Sequence, residues 1–369
     1  MSTQLNKTLV SHLSVLPQHQ RAGVFVWPSL AGPELNPEEE ALLFRYKPSG
    51  IVLFRRSMKS LAQTRALCER VRALTSAPHQ PRGAVIAIDE EGGRVYRMPA
   101  PFPRLEPAAA FADVQREPEL RSQVMLQAHV ARALGIDCLF APVADVLTRP
   151  DNPAIGDRAF SDNPETVARC AGVVLEEIQR AGLLGCAKHF PGHGHTASDS
   201  HKGFATSDVA LKVMREREWI PFRRLIQNSN IPLIMTAHVI CESLDPGKPA
   251  TLSKDILQTY LRDELGFGGI IVSDDLRMNA ISDYYGVSKK VTAAIVDEGQ
   301  NPVDVSDDRY LALASRDALS AGCDVLLSCQ SIVREEVVLR AIENDLLPVM
   351  DEQWFIDKAN RILTCLAQR

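Results

Sequence analysis

The 369-residue chain contains no apolar run long enough to cross a bilayer, which takes about 20 consecutive residues. Residues 1–7 carry no charged segment leading into an apolar one, the pattern of an export signal. A soluble, cytoplasmic protein is therefore expected. Lys and Arg are nowhere clustered and the net charge is −5, which argues against nucleic acid or an anionic membrane as a partner. Cys-x-x-Cys pairs are absent as well. The eight cysteines (Cys68, Cys138, Cys170, Cys186, Cys241, Cys323, Cys329 and Cys365) are scattered and lie mostly in apolar segments, so free buried thiols are expected rather than disulfides or a zinc site. Neither an internal repeat nor a low-complexity linker interrupts residues 1–369, which are expected to form one domain.

Hydrophobic residues make up 45% of the chain, enough for a large core. Short apolar segments at 23–27, 50–54, 84–88, 137–143, 182–186, 231–237, 269–273 and 323–327 read as strands. Helical patterns separate them. Asn36 offers an N-cap followed by Pro37 and three glutamates, a helix over 124–134 closes on Gly135, and another opens after Asn163 and Pro164 with Val167, Ala171, Val174, Leu175 and Ile178 at helical spacing. Eight near-continuous apolar strands alternating with helices fit a single (β/α)₈ TIM-like barrel, whose strands are buried on both faces. A doubly wound open sheet is the alternative. The acidic segment 296–308 reads as a solvated excursion between the last two strands.

The polar residues fall at the strand ends. Asp89 and Arg97 follow the third strand, Asp145 and Arg158 the fourth; Lys188 and His189 end the fifth, His238 the sixth, and Asp274 with Asp275 the seventh. A barrel gathers such ends round one mouth. Four of the nine histidines (His189, His193, His195 and His201) lie within thirteen residues, and the loop from Gly192 to Phe204, with three glycines and few apolar anchors, is expected to be mobile. Gly192 and Gly194 give only a weak phosphate-loop signal. Asp145 reads as structural and His238 as packing or support.

Six motifs in order then carry a resemblance over nearly the whole chain. They are Ile88-Asp89-Glu90-Glu91-Gly92-Gly93-Arg94-Val95, Leu134-Gly135-Ile136 through Val143, Gly156-Asp157-Arg158-Ala159-Phe160, Lys188-His189-Phe190-Pro191-Gly192-His193-Gly194, Asp199-Ser200-His201, and Ser273-Asp274-Asp275-Leu276-Arg277-Met278. The sequence resembles the cytoplasmic β-N-acetylhexosaminidases of glycoside hydrolase family 3, bacterial enzymes of peptidoglycan recycling. The resemblance implies a barrel that removes terminal N-acetylglucosamine from muropeptide fragments with retention of configuration. It implies Asp274 as nucleophile, His201 as general acid/base supported by Asp199, and Asp89, Arg97, Arg158, Lys188 and His189 as sugar-binding residues. No metal or organic cofactor is implied, and a monomer is expected. The family usually has a proline shortly after its Asp-Ser-His motif, where this chain has Phe204-Ala205. Two other readings stay open: a metal-dependent amidohydrolase using His193 and His195, and a sugar-binding barrel without activity.

Overall fold

The computed structural model describes residues 9–197, 205–287 and 309–368. Its centre is a ring of eight parallel strands: β1 (Val26–Pro28), β2 (Gly50–Leu53), β3 (Val85–Ile88), β4 (Cys138–Leu139), β5 (Leu184–Phe190), β6 (Leu233–Thr236), β7 (Ile270–Asp275) and β8 (Val325–Ser328). Pairing runs continuously from β1 through β8, β7, β6, β5, β4 and β3 to β2, and a parallel bridge between Ser29 and Val52 closes the ring. Closure rules out the open sheet. Helices follow the strands and cover the outside, among them Pro37–Tyr46, Leu61–Thr75, Glu117–Leu134, Pro164–Arg180 and Arg309–Ala321. No described helix is long and apolar enough to cross a membrane.

Local chemistry sets the helix ends. Asn36 accepts from the Glu39 backbone while the Glu39 side chain accepts from the Asn36 backbone, a reciprocal cap that satisfies donors the first turn leaves unpaired. The Asn163 side chain accepts from the backbones of Glu165 and Thr166. Gly135 ends its helix at φ 91°, in the left-handed region. All eight cysteines are free thiols, and seven of them are buried.

Three strand boundaries differ from the sequence reading. Residues 23–25 belong to the helix Gln18–Phe25, and the strand starts at Val26. Their apolar character reflects the buried end of that helix, where a side chain on Gly23 would sit 1.9 Å from the Tyr46 carbonyl oxygen. β4 stops at Leu139, and pairing with β5 resumes only at Val143 opposite Lys188, beyond Pro142, which has no N–H to donate. β5 runs on through Lys188, His189 and Phe190.

Two strands carry an irregularity at their outgoing ends. Between β5 and β6 the register passes from Ala187↔Ile234 to Phe190↔Thr236, so β5 holds one extra residue at Lys188-His189. Between β7 and β8 it passes from Val272↔Val325 to Asp275↔Leu327, placing an extra residue at Ser273-Asp274. Bulges of this kind re-aim side chains and take backbone groups out of the ladder. Side-chain oxygens take up the released donors: Asp145 Oδ1 accepts from the His189 backbone at 3.3 Å, and Ser273 Oγ from the Leu327 backbone at 2.9 Å.

At the other end of the barrel two buried aspartates repeat one device. Asp137, just before β4, accepts from the Ile86 backbone of β3 at 3.0 Å and pairs with Arg72 at 2.6 Å and Arg132 at 3.2 Å. Asp324, just before β8, accepts from the Ile271 backbone of β7 at 2.9 Å and pairs with Arg262 at 2.6 Å and Arg361 at 2.8 Å. Each one ties two strands to the helices outside them.

Candidate active site

The mouth at the strand C-termini is built on a buried lattice of charge. Lys188 Nζ, 2% exposed, lies 2.7 Å from Asp89 Oδ1 and 2.5 Å from Glu91 Oε1. Arg158 grips the same Glu91 with two parallel bonds of 2.9 Å, from Nε and Nη2. A planar guanidinium matches a carboxylate in this bidentate way. Burial disfavours the Glu91 charge, but Arg158 and Lys188 outweigh it and hold the carboxyl far below its ordinary range. Lys188 is likewise penalised by burial, yet Asp89 and Glu91 keep its pKa above the usual lysine value. Arg97 reaches Asp89 at 3.8 Å from the open side.

His189 joins this lattice to a second one. Its Nδ1 is 2.7 Å from Asp145 Oδ2, and its Nε2 is 3.3 Å from Arg158 Nη2. A guanidinium can only donate, so this arrangement puts the ring proton on Nδ1, shared with the carboxylate. Asp145 also accepts from the His193 backbone at 2.7 Å. Burial works against its charge, but His189 and His193 hold its pKa below the ordinary value. Asp145 is thus structural in a specific sense: it fixes both the imidazole and the start of the loop after β5.

That loop differs from the expectation of mobility as far as it is described. Residues 192–194 and Thr196 are buried. Asn152 Nδ2 donates to the carbonyls of His193 at 2.8 Å and Thr196 at 3.1 Å, and a side chain on Gly194 would meet the Val146 carbonyl oxygen at 1.9 Å. Close packing, not phosphate binding, accounts for that glycine. His193 and His195 do not converge. The His193 ring meets Thr196 Oγ1 at 2.7 Å, with its pKa pushed down to about 4 by burial and by His189, whereas His195 meets Thr148 Oγ1 at 2.8 Å. Among the described residues no group of three or more His, Cys, Asp or Glu is placed to hold a metal ion.

Asp274 stands two strands round from β5, half-buried, with its Oδ1 accepting from the Asp275 backbone at 2.8 Å. Its neighbour is occupied otherwise. Asp275 Oδ1 accepts from the backbones of Arg277 and Cys329, each at 3.1 Å, and burial pushes its pKa up to about 6. His238 braces this corner, its Nε2 2.9 Å from the Asp275 carbonyl and its Nδ1 2.7 Å from Thr251 Oγ1. That is the supporting role expected of it. Asp199, His201, Phe204 and the segment 296–308 lie outside the described residues.

The structure therefore brings together Asp89, Arg97, Arg158, Lys188 and His189. It adds Glu91, which the sequence reading did not single out, at the centre of the lattice. The available signal was two further acids after Asp89, directly before Gly92-Gly93, more than a turn requires. Glu90 is buried too, accepting from the backbones of Arg97 at 2.8 Å and Met98 at 3.1 Å, and burial raises its pKa to about 7. It sets the position of Arg97.

A closed parallel barrel that collects carboxylate acceptors, cationic donors and an oriented imidazole at the C-terminal ends of its strands is a barrel enzyme suited to gripping a polyhydroxylated substrate. Its family follows from the whole sequence. Glycosyl hydrolase family 3, through the description of its N-terminal domain, matches residues 19–365, and the chain belongs to this family of glycoside hydrolases. A β-hexosaminidase of Methylococcus capsulatus is 37% identical over 318 residues, 85% of either chain. NagZ from Neisseria gonorrhoeae, solved with N-trifluoroacetyl-D-glucosamine, is 28% identical with a TM-score of 0.74, over 92% of this chain and 89% of that one. A family 3 β-N-acetylglucosaminidase from Paenibacillus is 29% identical with a TM-score of 0.83 over 96% of this chain, which spans 63% of that protein's length.

Proposed function

We propose that the protein is a retaining exo-β-N-acetylglucosaminidase, removing terminal non-reducing N-acetylglucosamine from peptidoglycan-derived muropeptides through a covalent glycosyl-enzyme intermediate. The observation that carries the reading is the Asp89–Lys188–Glu91–Arg158–His189 lattice beside Asp274, in a chain similar to proteins named for hexosaminidase activity. In this reading Asp89, Arg97, Arg158, Lys188 and His189 hold the hydroxyls of the sugar. The carboxylate of Asp274 attacks the anomeric carbon while His201 protonates the departing oxygen, and the bond to the leaving group breaks. His201 then takes a proton from water, which attacks the same carbon and releases Asp274. An imidazole, ordinarily titrating at about 6.5, suits a group that must both give and take a proton near neutrality. Asp199, two residues away, steadies the imidazolium. The chain acts as one barrel domain, monomeric and cytoplasmic, without metal or organic cofactor.

The test is hydrolysis of an aryl β-N-acetylglucosaminide by wild type and Asp274→Asn, with EDTA present and the matching glucoside as control. Activity on the amino sugar alone, unaffected by EDTA and lost in the variant, is the expected result. Loss of activity with EDTA would instead favour a metal site in the histidine loop. Two inert proteins would favour a binding barrel.

A further inference from the structure

Between Asp89 and Glu91, both parts of the mouth, stands a third acid that the chemistry above does not use. Glu90 is 1% exposed. Its Oε2 accepts from the backbones of Arg97 at 2.8 Å and Met98 at 3.1 Å, so the carboxyl is anchored on the segment that carries Arg97. Its Oε1 is buried with no hydrogen-bond partner among the described residues, and so is Arg97 Nε. An acceptor and a donor thus stand unused on one short loop. The far end of the Arg97 side chain is held only loosely. Its Nη2 lies 3.8 Å from Asp89 Oδ2, beyond hydrogen-bond length, and its guanidinium lies 6.0 Å from the centre of the Phe54 ring. Asp89, by contrast, is fixed by Lys188 at 2.7 Å.

A buried carboxyl with one oxygen unused acts differently in its two forms. The neutral acid carries its proton on Oε1, because Oε2 is taken by two N–H donors, and a guanidinium that can only donate gains nothing from it. The anion presents a bare, desolvated oxygen, whose best complement is a cation with an idle N–H. Burial raises the Glu90 pKa to about 7; the backbone donors and the charge of Arg97 pull it down, and the charge of Asp89 adds to the rise. Both forms are therefore populated near neutrality. We propose that Glu90 is a positioning residue whose proton sets the direction of the Arg97 guanidinium: forward, toward Asp89 and the sugar, when Glu90 is neutral, and back toward Glu90 Oε1 when it is ionised. This inference rests on the glycosidase reading, in which Arg97 helps to hold the sugar. It makes affinity for an uncharged sugar depend on pH through a group that does not touch the sugar.

The experiment uses N-acetylglucosamine, which has no titrating group, as the probe of the full chain. Its dissociation constant is measured by calorimetry from about pH 5.5 to about 8.5, across the Glu90 transition, in buffers of different ionisation enthalpy. In wild type the affinity should fall on the order of tenfold over that range, the effect of one charge-assisted hydrogen bond. Binding near neutrality should draw a proton from the buffer, because sugar and proton favour the same state of Arg97. Glu90→Gln keeps an acceptor for the two backbone donors but cannot ionise, and should hold the acid-side affinity throughout while losing the proton uptake. Arg97→Gln should bind more weakly at every pH, with the same flattened profile. Contributions of the histidines are common to all three proteins and cancel in the comparison. A flat wild-type profile, or a slope that survives either substitution, overturns the role of Glu90 while leaving the glycosidase reading intact. A wild type that binds no N-acetylglucosamine at any pH overturns both.

Discussion

The two ends of the barrel use buried charge in opposite ways. At the end where strands begin, Asp137 and Asp324 each accept from a neighbouring strand and from two arginines borne on the helices outside. At the end where strands finish, Glu91 is equally well paired, but around it polarity is left incomplete. Glu90 Oε1, Arg97 Nε and, beneath the loop after β5, Glu218 Oε2 are buried without a hydrogen-bond partner among the described residues. Burial raises both Glu90 and Glu218 to about 7. Among these carboxylates, Asp137 and Asp324 are fully paired and hold strands together, whereas Glu90 and Glu218 each keep one buried oxygen unpaired.

Exchanging damage between the ends would break this comparison most directly. Asp274→Asn, at the mouth, is expected to lower turnover on the order of 10⁴-fold or more while leaving the unfolding midpoint nearly unchanged. Asp324→Ala, at the base, should cost about 3–5 kcal/mol of stability, because it strands paired cations, yet leave kcat/KM intact wherever the protein is still folded. Denaturant melts and steady-state rates on both variants decide it; an inactive but fully stable Asp324 variant would contradict the division. Next in size, His201→Ala should lose about 10²- to 10⁴-fold on natural linkages and much less with a leaving group that departs unprotonated. Equal losses on both kinds of substrate would remove the acid role from His201.

The smallest effect concerns pH. Glu90 titrates at about 7 in the folded protein against an ordinary value of 4.5, so between those limits the folded state holds more protons than the unfolded one. Stability contributed by this group is therefore complete at the acid end and declines as pH rises towards 7. Glu90→Gln keeps an oxygen for the Arg97 and Met98 backbones but cannot ionise, and should flatten that decline. An unchanged slope of stability against pH in the variant would show that Glu90 does not carry it.

The barrel could be read from the chain because its strands are buried on both faces, so apolar runs alone mark them, in order. What such runs cannot mark is a change of element inside them. Residues 23–25 are as apolar as a strand but close a helix, and Lys188 with His189 continue β5 although they are polar. Site positions at strand ends were legible for the same reason as the barrel: closure brings those ends together whatever lies between them. Glu91 was not, since its significance depends on Arg158, from the turn 156–158 after β4, and Lys188, from β5, 67 and 97 residues further on. Asp145 looked structural from its position, and only the contact with His189 shows what it holds.

The extra residues in β5 and β7 have a further consequence. A strand is a ruler of alternating parity, each side chain facing away from the one before it. One additional residue changes the parity of everything downstream. In β5 and β7 the lower part of the strand therefore follows one alternation, answering to the packing of the barrel, and the upper part follows another, answering to the pocket. The two are read in separate frames. Removing a single residue at 188–189 or 273–274 would leave every apolar position below it in phase while turning the chemical groups above it out of phase, a barrel well filled and facing the wrong way.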